Sequence, residues 1–272
     1  MMRKFIKNKQ IVIGFIMILC IVTIAVLAPF IIPNNPYDVD ITNKFASNGN
    51  KYPLGTDQLG RCVLSRLMLG ATYSISISLV TLLILVAISI LIGVTSVFYG
   101  GIYDSIISAL CNVFMAFPPF AVVLSLSNVL GQGVKNLILS LVISMWVWFV
   151  RVIRSYVKVE MKKDYIISSR IVGCSNLKII IFHLLPNLVP MLLVYFSTSI
   201  AALILMISGY AFLGIGFDPN IPEWGAMLSN GKAYLYSSPK MIILPGICIL
   251  FTATAFNLFG EGLRDIIAPR RV

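Results

Sequence analysis

Long apolar runs separated by short polar breaks fill this chain. Six runs stand out: Ile11–Ile32, Ser74–Phe98, Ser105–Leu130, Asn136–Val150, Leu185–Leu213 and Met241–Gly260. Crossing the hydrocarbon of a bilayer as a helix takes roughly 20 apolar residues. The fourth run is short, but it leads into Arg151 and Arg154, whose long stems reach the headgroups as the helix leaves the membrane. The first run begins with the basic residues Arg3, Lys4, Lys7 and Lys9, as a signal peptide does. Its apolar stretch exceeds the roughly 7–15 residues of such a segment, so a retained anchor is expected. The pattern predicts an all-α integral membrane protein with six transmembrane helices. No internal repeat, low-complexity tract or separate soluble domain is visible. The expected division is an anchor span and loop over residues 1–73, and a five-span core over 74–272 that contains a polar segment at 160–187.

Composition agrees. The chain has 272 residues, 58% of them hydrophobic and 11% charged, against about a quarter charged in soluble domains. A net charge of +11 would suggest nucleic acid for a soluble protein. Here topology accounts for it. With the N-terminus in the cytoplasm, fourteen of the twenty-one Lys and Arg residues fall on the cytoplasmic side, as the positive-inside rule requires. Both termini and the 160–187 segment are therefore expected inside. The partner of the basic face is lipid, and no nucleic acid is expected.

The missing chemistry is also informative. None of the six runs, as bounded, contains Asp, Glu, Lys, Arg or His. Gradient-driven carriers keep such residues in mid-membrane despite their cost. An ion- or gradient-driven secondary transporter is therefore the weaker alternative. No Ser/His/Asp set can be assembled around the single histidine, His183, so no catalytic residue is expected and the chain is not read as an enzyme. The five cysteines show no metal-ligand spacing, and neither a metal site nor a cofactor is expected. The stretch Gly225–Tyr234 is the nearest approach to a phosphate-binding loop. It has one residue too many between its glycines and Ala233 where Ser or Thr is needed. Transport against a gradient would draw its energy from another subunit.

The segment Asp164–Asn187 reads as helix, elbow, helix. Asp164 starts a short helix through Val172, Gly173 breaks it, Ser175 or Asn176 caps the next helix, and Pro186 stands where the fifth span begins. Tyr165, Ile166 and Ile167 are odd residues for a solvent loop. They suit docking into a groove on a partner or an amphipathic helix lying on the membrane surface.

At these residues the chain resembles the permease subunits of ATP-binding-cassette importers. That family carries Glu-Ala-Ala, three residues, Gly, nine residues, Ile-x-Leu-Pro. Here the triplet falls on Ile167, Ser168 and Ser169, the glycine on Gly173, the Ile position on His183, and Leu-Pro on Leu185 and Pro186. Pro53–Ser76, Phe98–Pro119 and the two stretches "AFLGIGFDPNIPEWGAMLSNGKAYL" and "PGICILFTATAFNLFGEGLRDIIAPR" are similar to the dipeptide, oligopeptide and nickel branch. Cys62 and Asn112 stand where that branch usually has Asp, and Thr72 where it usually has Arg. The chain looks like the second, short-N-terminus permease of the pair.

The resemblance implies partners and roles. A second permease completes the pathway, two ATP-binding subunits sit beneath, and an extracytoplasmic binding protein delivers a peptide, nickel or a metal chelate. Asp164, Tyr165, Ile166, Ile167, Ser168, Ser169, Gly173 and Pro186 would form the loop that couples to the ATP-binding subunits. Phe117, Pro118 and Pro119 are candidates for the pathway or its gate, with the prolines kinking the third span. The stripe at 59, 63, 64, 67 and 68 predicts a separate amphipathic helix over Leu59–Leu69. It seats the bundle or lids its mouth, and in the second case Arg61 and Arg66 would touch the binding protein. Trp224 is expected as an interfacial anchor or a further outer contact.

Overall fold

The computed structural model describes residues 8–267, and these are helical apart from turns, loops and one isolated bridge between Thr56 and Cys62. The helices are α1 (Lys9–Ile31), α2 (Val63–Tyr99), α3 (Gly101–Met115), α4 (Pro119–Leu130) and α5 (Val134–Glu160). After them come α6 (Asp164–Ile171), α7 (Asn176–Lys178), a π-helical turn (Ile179–Leu184), α8 (Leu185–Phe212), α9 (Trp224–Gly231) and α10 (Lys240–Ile267). Five helical stretches are long and apolar enough to cross a membrane: α1, α2, α5, Asn176–Phe212 and α10. The pair α3 and α4 makes a sixth if counted as one broken span.

Lipid offers helices no hydrophobic reason to associate, so close contact depends on small side chains and on satisfied polar groups. Both devices are present. On α1, a Cβ at Gly14 would lie 2.6 Å from the backbone nitrogen of Phe259 and 2.9 Å from the carbonyl of Ala255 on α10. Reciprocally, a Cβ at Gly262 would lie 2.5 Å from Cγ1 of Ile11. The first and last helices thus meet backbone to backbone. Along α2, the buried Ser78 and Thr81 donate to the carbonyls of Ser74 and Ile77, and Ser89 donates to that of Leu85. These hydroxyls satisfy themselves within their own helix and let α5 come close. Phe149 and Leu85 anchor one part of the resulting core, and Ile153, Val157 and Val94 another.

Several expected boundaries move. No separate amphipathic helix spans Leu59–Leu69. Residues 58–60 turn, Cys62 pairs with Thr56 in the isolated bridge, and Val63 begins a continuous helix that runs to Tyr99. Nothing in the sequence breaks the helix between the expected loop helix and the span, so the two fuse, and residue 73 lies inside one element. At about 1.5 Å per residue α2 is roughly 55 Å long, well over the ~30 Å hydrocarbon thickness. It is therefore longer than a crossing along the bilayer normal requires. The third span is not a kinked helix. Pro118 is extended (φ −61°, ψ 125°), and α3 and α4 meet at 83°. Two successive prolines remove two donors, and each pushes its preceding residue out of the helical region, so the bend becomes a break. The fourth run lengthens to 27 residues and carries Arg151, Arg154, Lys158 and Glu160.

Candidate functional site

The elbow follows from local chemistry. Asp164 sits in the first turn of α6 and Arg170 in its last, each sign matching the helix dipole. Gly173 ends the turn with φ +83°, a conformation costly for any residue with a Cβ. No other atom lies within 4 Å of where that Cβ would stand, so the backbone angle, rather than space, calls for glycine. The chain re-enters helix after Ser175, whose ψ of 150° is extended, although its hydroxyl makes no capping hydrogen bond. Pro186 has no N–H for the carbonyl of Phe182, and upstream the ladder slips to a π register in which Leu185 N donates to Ile180 O. The Asn187 amide donates to the His183 carbonyl at 2.7 Å and takes up one of the loosened acceptors.

Glu160 holds this elbow in place. The last residue of α5, it is buried and accepts from Lys163 Nζ at 2.8 Å and from the Tyr165 hydroxyl. Burial, followed by that carboxylate, pushes the Tyr165 phenol well above its ordinary range. Ile166 is 1% exposed and inserts among Val94, Phe98, Val157, Ile179 and Leu184. Arg170 lies 5.2 Å over the Phe98 ring. The expectation that Ile166 faces a partner is thereby corrected: Ile166 is the root of the helix. Its exposed apolar face is Ile167, Ile171 and Val172, with Leu177 exposed just beyond. Ser168 is exposed and Ser169 half-buried, its hydroxyl donating to the Tyr165 carbonyl.

At the break between α3 and α4, Phe117 and Pro118 are exposed and Pro119 is half-buried. Phe120 stacks on Tyr210 of α8 with centroids 5.4 Å apart, which pins the start of α4.

The 53–76 region meets the 216–239 region in a buried clasp that the sequence did not reveal. Asp57 accepts from the backbone N–H of Leu59 and Arg61 and from Arg61 Nε at 2.7 Å, and Arg66 Nε lies 3.6 Å away. Arg66 Nη1 donates to the carbonyls of Pro36 and Asn220. Trp224 Nε1 donates to the Leu67 carbonyl at 3.0 Å. Arg61, Arg66 and Trp224 are 2%, 1% and 2% exposed. They are spent inside the chain, so the reading of them as surface contacts does not hold for this conformation, and Trp224 is not an interfacial anchor. Their burial depends on residues some 150 positions away, which no local stripe signals. Glu223 was also missed. Fully buried, it accepts from Ser74 Oγ, Ser208 Oγ and Ala226 N at 2.9–3.1 Å, and burial pushes its carboxyl above the ordinary range. Its position just before a short helix, in a chain with only ten acids, was the available clue. Next to it, a Cβ on Gly225 would come 2.2 Å from the Ser208 carbonyl.

Among the described residues no group of three His, Cys, Asp or Glu side chains comes together. The stretch Gly225–Tyr234 lies in α9 and the short 3-10 turn after it, not in a phosphate-binding loop.

Residues 86–272 match the family described as "Binding-protein-dependent transport system inner membrane component". The chain belongs to this family. Residues 1–53 of the permease match a second description, "N-terminal TM domain of oligopeptide transport permease C". It is 30% identical over 259 residues to the nickel transport system permease protein NikC of Escherichia coli strain K12, covering 95% of this chain and 94% of that protein. With the dipeptide transport system permease protein DppC of Haemophilus influenzae it shares 33% over 272 residues, 98% and 92% of the two chains. The metal-staphylopine import system permease protein CntC of Staphylococcus aureus strain NCTC 8325 is 33% identical over 269 residues, 99% and 93%. The permease is therefore a multi-pass protein of the cell membrane in the dipeptide and nickel branch of ABC importers, and acts as a transport subunit.

Proposed function

We propose that this permease forms half of an import pathway for a small peptide or for nickel, free or chelated, which an extracytoplasmic binding protein delivers. A second, homologous permease forms the other half. Two ATP-binding subunits grip the elbow from the cytoplasm, the side that also carries both termini. ATP-bound and ATP-free subunits would hold α6 in different positions, and that difference is what opens and closes the pathway.

The observation that carries this reading is the division of labour within α6. One face is fixed to the permease through Ile166 and the Glu160–Tyr165 contact. The opposite face presents Ile167, Ile171 and Val172, the last two about 80% exposed. A rod tied to α5 and to the π-helical turn that leads into α8 on one side, and bare on the other, moves those helices when it is pulled. An exposed apolar face of this kind fits a groove on a partner.

Ile171→Glu tests it. The side chain is 81% exposed, so the permease itself tolerates the change, whereas a carboxylate buried unpaired at the contact costs several kcal/mol. Binding-protein-dependent uptake is expected to fall by at least about tenfold, with the ATP-binding subunits lost on co-purification or their ATPase no longer stimulated. Wild-type uptake and co-purification would refute the docking.

A further inference from the structure

A polar cavity of about 200 Å³ lies between α3 and α5, lined by Ser108, Asn112, Arg151, Arg154, Ser155 and Lys158. Its charges do not balance. Three cations face one carboxylate, Asp104, and that acid is already engaged by Arg154 Nη2 at 2.6 Å and Lys158 Nζ at 3.3 Å. Arg154 is 5% exposed, and its Nε has no hydrogen-bond partner. The hydrogen-bond acceptor of Arg151 is the Met115 sulfur. A buried guanidinium N–H left unmade costs more than the average hydrogen bond gains, and a thioether is a weak acceptor. Asn112 adds an amide donor and Ser108 a hydroxyl. Among the described residues, no carboxylate other than Asp104 is paired with the cluster.

Depth narrows the occupant. α5 is 27 residues, roughly 40 Å at 1.5 Å per residue. Arg151–Lys158 lies in its last three turns, beyond most of a ~30 Å hydrocarbon layer. That is where lipid phosphates sit, and where any solute leaving the bundle at this end would pass.

We propose that the cavity formed by Arg151, Arg154, Lys158, Ser108 and Asn112 is a binding site for an oxyanion, a phosphate or carboxylate group, at headgroup depth. The anion completes the donor sets of Arg151 and Arg154. Its source is either an anionic lipid headgroup or a free anion, and both present the same oxygens to the same donors. The inference does not depend on docking at α6.

The full chain, purified in detergent, is examined by native mass spectrometry with equal phosphatidylglycerol and phosphatidylcholine, and by phosphorus NMR with inorganic phosphate. Preferential retention of phosphatidylglycerol, or broadening of the phosphate resonance, is expected. Asn112→Asp fills the cavity with a carboxylate, and Arg151→Gln removes an exposed cation. Each should cut binding by about tenfold, the loss expected from one charge-assisted hydrogen bond, while Lys158→Arg should preserve it. Thermal melts of the detergent-solubilised variants confirm that they are folded, and Arg151→Gln, at an exposed side chain, serves if Asn112→Asp does not fold. Phosphatidylglycerol that millimolar phosphate fails to displace assigns the site to lipid. Phosphate binding with the same variant dependence assigns it to free oxyanions. Equal retention of both lipids with no broadening overturns the proposal, as does binding that survives Asn112→Asp and Arg151→Gln together.

Discussion

Glu223 shows how one side chain organises a distant part of this molecule. Its two oxygens gather hydroxyls from α2 and α8 and cap α9. Burial holds its carboxyl above the ordinary range, so the folded chain keeps that proton more tightly than the unfolded chain does. The sign follows directly: folding is favoured at low pH, and stability falls as pH rises from the ordinary carboxylate range through the raised value. Glu223→Gln is expected to melt like wild type at about pH 4 and a few degrees higher at about pH 8, as read by thermal unfolding in detergent. A wild-type pH profile in the variant would place the titration elsewhere. Asp57 is a second buried acid, and two arginines serve it at once. Neither acid was legible in the sequence as a structural centre. A single-sequence stripe reports which residues share a helix face, whereas Arg66 is buried by a carbonyl at Asn220 and Trp224 by one at Leu67. Such pairings are set by the tertiary fold alone. At Gly173 the sequence did speak, because a backbone angle that excludes a Cβ leaves glycine as its trace.

Elements were more readable than residues. All six apolar runs lie on the helices described above, because continuous hydrophobicity over some twenty residues has few other outcomes in a bilayer. The ends were less readable. Polar residues that snorkel or pair, such as Arg154 with Asp104, extend α5 well past the apolar run. The α3–α4 break was visible as Pro118–Pro119, but its depth was not. A single proline bends a helix, while tandem prolines leave an extended joint with Phe117 exposed beside it. Replacing both prolines by alanine would let α3 and α4 join as one helix and draw Phe120 off Tyr210. Uptake is expected to fall by about tenfold or more, in keeping with a ~3 kcal/mol backbone preference at each proline. Normal membrane expression, checked by immunoblot, separates this from misfolding. Unchanged uptake would reduce the break to a packing device.

At the scale of the whole molecule, the ion pairs among the described residues lie near the helix ends or in the buried clasp, and the six apolar runs carry no acid, base or histidine. Gradient-driven carriers keep such residues in mid-membrane. In proteoliposomes the chain alone is expected to move neither a radiolabelled dipeptide nor nickel, with or without a pH gradient. Uptake should appear when the second permease, the ATP-binding subunits, the binding protein and ATP are supplied. Uptake by the chain alone would favour the gradient-driven alternative.

The glycine seam between α1 and α10 bears on how the protein is made. Gly14 receives Phe259 and Ala255, and Gly262 receives Ile11. α1 therefore waits, its groove open to lipid, until α10 has been synthesised. A nascent chain that stalled before α10 would hold an unclosed bundle, so the arrival of α10 and closure of the seam are one event.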